Sequence, residues 1–264
     1  MKDEMMEKIM GEVMKKMESS SQSDEETVKK SASKGCTSTE FVGSCELGKT
    51  IGLVIANVDT SIHGLLDIDK KYRSIGIVGA RTGAGPHIFA ADEAVKATNT
   101  EVLKIELPRD TEGGAGHGSL IIFGAEDVSD ARRAVEVTLK EVERTFGDVY
   151  ANEAGHLELQ YSARASYAHN KAFGAPIGKA FGISVGAPAA IGVVMADTAV
   201  KSANVDVVGL ATPADGTSFS NETIVFVSGD SGAVRQAIIG AKEAGLPLLE
   251  TLGGEANSVT VPYI

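Results

Sequence analysis

The sequence predicts an α/β fold, in the form of an α+β sandwich, built from two copies of one domain. Residues 91–102 return nearly unchanged as residues 196–207, and the offset of 105 residues, from Asp92 to Asp197, still aligns the prolines downstream. Runs typical of strands and helices follow in the same order in both halves. A repeat of this length indicates a duplicated domain, because solenoid units are only about 20–50 residues long.

The N-terminal segment, residues 1–38, is predicted to lie outside both copies. Residues 1–18 have the spacing of an amphipathic helix, and residues 19–34 have the polar composition of a disordered linker. So short a helix is marginal alone, so we expect it either to dock on a partner or to remain a frayed tail. Its apolar side carries Met6, Ile9, Met10, Val13 and Met17.

The two domains are expected at residues 39–151 and 152–264, with the same elements in each. The first copy is predicted to contain strands at 50–55 and 74–78, a helix at 85–98, strands at 101–107 and 119–123, and a helix at 128–146. The corresponding elements of the second copy are predicted at 156–161, 180–185, 188–203, 206–212, 224–227 and 231–244. Strands and helices that alternate around one small sheet predict a sandwich with helices on one face.

Composition excludes several classes of function. The net charge is −11 and aromatic residues make up 5% of the chain, without tryptophan, so we expect no nucleic-acid partner. No apolar run reaches the roughly 18 residues that a membrane span needs, and no secretion signal is recognisable. Two cysteines, Cys36 and Cys45, indicate a reducing compartment and are too few for a metal or iron–sulfur site. We therefore expect a cytosolic protein without a cofactor.

One segment matches the phosphate-loop pattern G-x-x-x-x-G-K-[ST]. It spans residues 43–50, from Gly43 to Thr50. Such a loop binds phosphate by following a buried strand and opening a helix. Here a short β-type run follows instead, and the second copy has no equivalent. The pattern favours a turn into a strand, and a nucleotide-binding enzyme remains an alternative.

No catalytic residue emerges from the other motifs. Residues 229–232, Gly-Asp-Ser-Gly, resemble the surroundings of a serine-protease nucleophile, but they lie where a strand meets a helix, so Asp230 or Ser231 is better explained as a helix N-cap. The five histidines neither recur between the copies nor show the spacing of metal ligands. They are His63, His87, His117, His156 and His169. We expect no enzyme and no metal site.

The motifs of the second copy resemble the bacterial microcompartment shell domain. They are Lys-Ser-Ala-Asn-Val at 201–205 and Gly-Asp-Ser-Gly-Ala-Val at 229–234. Longer stretches are similar to the trimer-forming tandem shell proteins of propanediol, ethanolamine and ethanol utilisation. These stretches lie at 81–87, 108–111, 144–150, 155–158 and 216–222. The resemblance extends over residues 39–264.

The resemblance implies two circularly permuted domains, each with a small, mostly antiparallel sheet, and a homotrimer that mimics a hexagon. Such tiles pack edge to edge with other shell proteins around enzymes that handle 1,2-propanediol or glycerol. It assigns Lys96, Asn99, Lys201 and Asn204 to the tile edges, and the N-terminal helix to anchoring of the encapsulated enzymes. No cysteine lies in either pore loop, which disfavours a redox role.

The resemblance also places two inter-strand loops around pores for a small diol or triol. From their residue types, the hydroxyls, carboxylates and imidazole there would exchange hydrogen bonds with the solute weakly enough to release it. The pore-lining candidates are Asp110, Thr111, Glu112, His117, Thr217, Ser218, Ser220, Asn221 and Glu222. A small-molecule-sensing regulatory protein with duplicated ferredoxin-like domains remains a second alternative.

Overall fold

The computed structural model describes residues 38–109, 117–217 and 220–264. The chain divides after Thr39, and Glu40–Ile264 form one compact unit. The predicted N-terminal helix and linker lie outside the described residues. Within the described part of the chain, no helix is both long and apolar enough to cross a membrane.

The first copy forms a five-stranded antiparallel sheet with three helices. Its strands are β1 (Phe41–Cys45), β2 (Thr50–Ile55), β3 (Ser74–Ala80), β4 (Glu101–Glu106) and β5 (Ser119–Ala125), in the order β1-β2-β3-β5-β4. Its helices are α1 (Thr60–Leu66), α2 (Ala84–Ala97) and α3 (Val128–Thr145). Every predicted element of this copy is present, and β1 and α1 are additions to the prediction.

The second copy repeats this arrangement. Its strands are β6 (Val149–Asn152), β7 (Gly155–Ser162), β8 (Ala180–Ala187), β9 (Asp206–Ala211), β10 (Thr223–Gly229) and β11 (Asn257–Ser258). Their order is β11-β6-β7-β8-β10-β9, which matches the first sheet once the short β11 is set aside. Its helices are α4 (Tyr167–Phe173), α5 (Ala189–Ser202) and α6 (Ser231–Gly253). The duplication seen in the sequence is therefore a duplication of strand order.

A glycine at the same position of each sheet lets a long helix approach closely. A Cβ atom on Gly76 of β3 would lie 2.8 Å from the Val135 side chain of α3, and one on Gly182 of β8 would lie 2.8 Å from the Ile238 side chain of α6. Neither strand could carry a larger residue there without moving its helix away from the sheet. The two cores are thus built on one plan.

Helices also cover the opposite face of the second sheet, which the prediction of helices on one face did not include. Phe181 of β8 stacks on Phe89 of α2 and on Phe173 of α4, at 5.9 and 5.8 Å between ring centroids. Since α2 belongs to the first copy, this aromatic cluster joins the two copies. The short α1 and α4 escaped prediction because seven residues show too little of a helical period.

Helix α6 continues beyond its predicted end at residue 244 and reaches Gly253, with Pro247 inside it. A Cβ atom on Gly245 would lie 2.4 Å from the sulfur of Met195, and Leu249 is completely buried. Glycine and proline are the residues that most disfavour the interior of a helix. Burial of the final turns against α5 and the sheet outweighs that local preference.

Candidate functional site

The two inter-strand loops predicted to line pores meet between the copies. His117 lies two residues before β5, and its Nε2 atom lies 3.0 Å from the backbone oxygen of Thr217, in the loop before β10. Both residues are buried. The Thr217 hydroxyl donates to the backbone oxygen of Thr212 at 2.6 Å, which fixes the second loop on itself. Loops from two separate sheets thereby form one site.

A buried cluster of two imidazoles and two carboxylates lies behind this contact. Glu222 places Oε1 3.8 Å from His117 Nε2, and its Oε2 3.6 Å from His156 Nε2. His156 Nε2 is also 3.7 Å from Glu158 Oε1. Strand alternation puts His156, Glu158 and Gln160 of β7 on one face, away from the core side that Leu157 and Leu159 occupy. Two loops and one strand therefore supply the cluster.

Burial governs the ionisation of Glu158 in this cluster. The pKa of Glu158 is raised to about 7, chiefly by burial and in smaller part by the neighbouring Glu222 carboxylate, while His156 acts in the opposite direction. A carboxyl with such a pKa carries its proton for much of the time near neutral pH and can then donate a hydrogen bond. Among the described residues, no group of three or more acidic, histidine or cysteine side chains is arranged to hold a metal ion.

A cavity of about 380 Å³ opens onto the cluster between the two copies. Its wall combines apolar side chains with polar ones that converge on one side: Leu107, Phe173, Ile183, Leu210, Phe226, His117, Glu158, Asp215 and Glu222. Gly85 of α2 also lines it, and a Cβ atom there would lie 3.1 Å from Gln160 Oε1. An apolar pocket with a few convergent polar groups is the usual form of a small-molecule site.

A second cavity, of about 270 Å³, lies on the other side of the cluster. Glu222 lines both cavities, while His156, Ser220 and Asn221 line only the second. The side-chain amide of the fully buried Gln160 has no hydrogen-bond partner in the described part of the protein, and neither has His156. Buried polar groups of this kind are normally satisfied by water or a ligand. The cluster is thus a polar wall between two cavities.

The structure brings together only part of the predicted pore set. His117, Thr217 and Glu222 meet as described, and Ser220 is buried beside them, where its backbone N–H donates to Thr217. Asn221 lines the second cavity, and its side-chain oxygen accepts from Ala189 N at the start of α5. The candidates Asp110, Thr111, Glu112 and Ser218 lie outside the described residues.

Sequence reasoning missed Glu158 and Gln160 as site residues. The available signal was the alternation of polar His156, Glu158 and Gln160 with leucines along a strand, which marks a strand with one polar face. That signal cannot distinguish a solvent-facing stripe from a buried one. Only the packing of α2 over β7 decides between them.

The four predicted edge residues are all exposed, in two different settings. Lys96 lies 2.6 Å from Glu93, 3.3 Å from Asp92 and donates to the backbone oxygen of Arg164 at 3.1 Å. Lys201 pairs only with Asp197, at 2.6 Å, among the contacts of the described residues. Asn99 and Asn204 follow at the ends of the two helices. Their edge role stays a prediction, and the anchoring residues Met6, Ile9, Met10, Val13 and Met17 lie outside the described residues.

The phosphate-loop pattern forms a turn between two strands, as the sequence predicted. Residues Leu47–Lys49 make a short 3-10 turn from β1 into β2. The Thr50 hydroxyl donates to the Leu47 backbone oxygen and lies 2.6 Å from His87 Nε2, and Lys49 pairs with Glu46. No helix begins at this loop, so its N–H groups cannot cradle a phosphate in the usual way.

The serine-protease-like turn has a structural explanation that differs in detail from the predicted one. Asp230 occupies the N-cap position of α6, but its side chain makes no capping hydrogen bond. The Ser231 hydroxyl lies 2.5 Å from the Tyr161 hydroxyl instead. No histidine takes part in that contact, so the serine lacks a base.

A buried carboxylate on α2 is the principal contact between the copies that the sequence did not reveal. Asp92 Oδ1 accepts from the backbone N–H groups of Ser166 and His169, at 3.0 and 3.2 Å, and Oδ2 lies 3.1 Å from His169 Nδ1. Burial raises the pKa of Asp92, but His169 and Lys96 together outweigh this effect and lower the pKa to about 2. The carboxylate is therefore ionised and fully engaged.

The histidines of the two copies correspond more closely than the sequence suggested. His63 lies in α1 and His169 in the equivalent α4, one residue apart relative to the helix starts. His63 contacts the backbone oxygens of Tyr72 and Asp59 through its two ring nitrogens, at 2.9 and 3.1 Å. Both imidazoles are buried, so each copy uses a histidine to build its short helix.

Comparison with known protein families identifies the repeated unit. The family model of the BMC domain matches this chain twice, at residues 74–154 and 180–255. The two matches cover three central and edge strands of each sheet and both long helices. They leave β1, β2, β7 and β11 outside.

Known proteins are similar over most of the chain. The bacterial microcompartment shell protein PduB of Citrobacter freundii is 68% identical over 233 residues, which cover 88% of this chain and 86% of that protein. The crystal structure of a trimeric bacterial microcompartment shell protein PduB has a TM-score of 0.83 and 52% identity, and covers 86% of this chain and 100% of that chain. EtuB from Clostridium kluyveri has a TM-score of 0.84 and 54% identity, over 87% of this chain and 100% of its own.

Proposed function

Because this chain belongs to the BMC domain family of bacterial microcompartment shell proteins, we propose that three copies of it close into a ring that tiles the shell of a microcompartment in the cytoplasm. The observation that carries the proposal is the identical strand order of the two sheets. Three chains would supply six similar domains, which is a near-hexagon from a three-fold ring. A similar crystal structure is that of a trimeric shell protein.

The role of a shell protein is structural, and we propose the same role for this chain. Lys49 and Thr50 are held by the strand turn, and Ser231 has no histidine beside it. Among the described residues that line the two cavities beside Glu222, Ser220 carries a hydroxyl group, and a hydroxyl can also exchange hydrogen bonds with a passing solute. The proposal therefore assigns this cluster to passage of a solute.

We propose that the two cavities and the Glu222 wall between them form a pore for a small diol or triol. Each hydroxyl of such a solute can donate to a carboxylate or accept from a protonated Glu158. The apolar lining from Leu107 and Phe226 accommodates the carbon chain. Asp110, Thr111, Glu112 and Ser218 would complete the lining from the two loops.

Two further partnerships belong to the proposal. Neighbouring tiles and other shell proteins would meet along the edges that carry Lys96, Asn99, Lys201 and Asn204. The N-terminal segment would hold the encapsulated enzymes, because its predicted apolar side offers methionines, which adapt to varied partners. Deletion of residues 1–34 should leave assembly unchanged and release the enzymes from the shell, as judged by co-purification.

Light scattering tests the tile directly. The protein should elute with about three times the 27.4 kDa mass of one chain and form sheets or tubes at high concentration under the electron microscope. A monomer or dimer without extended assemblies would instead support the sensing alternative.

Crystals soaked in 1,2-propanediol test the pore, with propan-1-ol as a matched control that lacks the second hydroxyl. The diol should occupy the larger cavity with oxygen atoms near Glu222 and Glu158, and the control should not. In the Glu222→Ala variant the diol should be lost. Equal occupancy by both alcohols, or density in neither case, would contradict a polar pore at this place.

A further inference from the structure

Acidic side chains line both cavities beside Glu222. Glu222 itself lines the two cavities, Glu158 and Asp215 line the larger one, and Glu153 lines the smaller one. Among the described residues that line either cavity, none is a lysine or an arginine. A solute that moves from one cavity to the other therefore passes carboxylates and meets no permanent positive charge among these residues.

The two imidazoles beside Glu222 do not pair with it in hydrogen-bonding geometry. The Nε2 atoms of His117 and His156 lie 3.8 and 3.6 Å from the Glu222 oxygens, beyond the range of a hydrogen bond. The backbone oxygen of Thr217, 3.0 Å from His117 Nε2, can only accept, so the proton on this nitrogen is directed at Thr217. In their neutral form the two rings leave the negative charge of Glu222 uncompensated.

The charge of Glu222 is weakly screened by solvent. Its side chain is only 3% exposed, and apolar side chains such as Leu107 and Phe226 form much of the wall of the larger cavity. Low-dielectric walls of this kind concentrate an electric field in the opening between them. The Glu158 carboxyl already responds to this field, since the Glu222 carboxylate contributes to its raised pKa.

The ring of His156 indicates that a polar molecule occupies the smaller cavity. Both ring nitrogens of this buried residue lack a hydrogen-bond partner within the described part of the protein, and the residue lines that cavity. Buried polar atoms of this kind are normally satisfied by water or a ligand. Such an occupant would lie next to Glu222, whose Oε2 atom is 3.6 Å from His156 Nε2.

We propose that the Glu222 wall makes the pore a charge filter, which admits neutral polyols and rejects small carboxylates and phosphates of similar size. The inference rests on the proposed pore and adds the class of solute that the pore excludes. A solute carboxylate about 8 Å from Glu222, at an effective dielectric constant of about 20, is repelled enough to weaken its binding by roughly 30-fold. A small cation is attracted instead, so an amino alcohol enters as readily as a diol.

Three probes with one carbon skeleton separate the effect of charge from that of size. They are 1,2-propanediol, lactate, in which a carboxylate replaces the terminal alcohol group, and 1-aminopropan-2-ol, in which an ammonium group replaces the terminal hydroxyl. Crystals of the full chain are soaked in a concentration series of each probe at constant ionic strength. The pH is 8, because protonated imidazoles beside Glu222 would offset its charge at lower pH.

The concentration that half fills the larger cavity is the quantity to compare. For lactate it should be at least about 30-fold higher than for the diol, because two like charges approach each other in the cavity. For the amino alcohol it should be no higher than for the diol. The neutral and cationic probes thus verify that the cavity accepts this carbon skeleton.

Amide substitutions of the two buried acids locate the filter. Glu222→Gln keeps the size of the side chain and an oxygen that accepts hydrogen bonds, so the diol should still bind. Lactate should bind more tightly to this variant than to the wild type. In the double variant Glu158→Gln/Glu222→Gln, the half-filling concentration of lactate should come within about 3-fold of that of the diol, because both buried charges are gone.

The matched control is the double variant Glu126→Gln/Glu243→Gln. It also removes two acidic groups, but from exposed positions outside both cavities. Water and salt screen charges at such positions, so lactate should be rejected as strongly as by the wild type. Equal gains in lactate binding in the two double variants would show that net charge acts rather than Glu222, and would overturn the assignment.

Lactate that binds to the wild type as well as the diol does would overturn the filter and leave the proposed pore intact. Absence of all three probes from both cavities would reject the pore and the filter together. Continued rejection of lactate by the Glu158→Gln/Glu222→Gln variant would mean that shape excludes the acid, which also overturns the filter. Thermal unfolding verifies that this variant is folded. If it is not, the two single variants replace it, each with an expected gain in lactate binding of at least about 5-fold.

Discussion

Helices α2 and α5 are copies of one segment, yet they lie in opposite surroundings. Asp92 is completely buried and accepts backbone hydrogen bonds from the second copy, whereas the side chain of Asp197 is 58% exposed and pairs with Lys201. The same residue types therefore act as a core contact in one place and as a surface pair in the other. Packing after the duplication has therefore buried one copy of this segment between the two domains and left the other copy exposed.

The largest expected difference between α2 and α5 concerns the apolar contact that Phe89 of α2 makes with the second copy. Phe89→Ala should lower the free energy of unfolding by about 3–5 kcal/mol, because it removes an aromatic ring packed on Phe181 and His169. The matched substitution Val194→Ala should cost under about 0.5 kcal/mol in the monomer. Urea denaturation at several protein concentrations measures both and separates monomer stability from assembly. Equal losses at low concentration would mean that α5 already has a partner within its own chain.

The next difference concerns the two aspartates. Asp92→Ala should cost about 2–4 kcal/mol, since it leaves the buried N–H groups of Ser166 and His169 without an acceptor. Asp197→Ala should change the free energy of unfolding by under about 0.5 kcal/mol, as expected for a surface pair. Thermal unfolding of the two variants measures both effects. A strong loss of stability in the Asp197 variant would contradict the expected difference between the buried and the exposed aspartate.

A smaller difference concerns one strand position, which Glu158 occupies in β7 and Ile51 occupies in the equivalent strand β2. Burial raises the pKa of Glu158 to about 7, so the folded state holds its proton more tightly than the unfolded chain does. Stability should then fall as the pH rises from about 4.5 to 7, and this loss should be complete above that range. Glu158→Gln should stabilise the protein by roughly 2–3 kcal/mol at pH 8 and by almost nothing at pH 4.

The control for that pH experiment is Glu153→Gln, at an exposed glutamate of the turn between β6 and β7. This variant keeps Glu158, so its stability should fall between about pH 4.5 and 7 as that of the wild type does. A Glu158 variant that is less stable than the wild type at pH 8 would mean that the ionised carboxylate is well satisfied in the fold. The cavity would then be a water-filled polar site rather than one that keeps Glu158 protonated.

Much of the fold could be predicted because the signals were local. The apolar runs of β3 and β8 and the long helix α3 follow their predicted positions closely. The predicted helix α6 was too short. Gly245 and Pro247 disfavour a helix locally, whereas the helix continues past them because residues such as Leu249 are buried. The short helices α1 and α4 were missed because their stability comes from packing rather than from a periodic pattern.

The candidate site could be predicted only in part. His117, Thr217 and Glu222 belonged to loops whose position followed from the repeat, and the structure brings them together. Glu158 and Gln160 lie on a strand some sixty residues earlier than Glu222, and no local signal links them to those loops. Residues that meet through the packing of one domain on another leave no spacing in the sequence.

The sequence by itself determined the duplication, the order of the elements and the composition of both copies, because periodicity and turn residues act over a few positions. The tertiary structure decided which copy of each segment is buried. Asp92 and Asp197 have nearly the same neighbours in sequence, and only the docking of α2 on α4 distinguishes them. Burial depends on contacts between residues that are distant in sequence, so one of two similar segments can be buried in the core while the other is exposed at the surface.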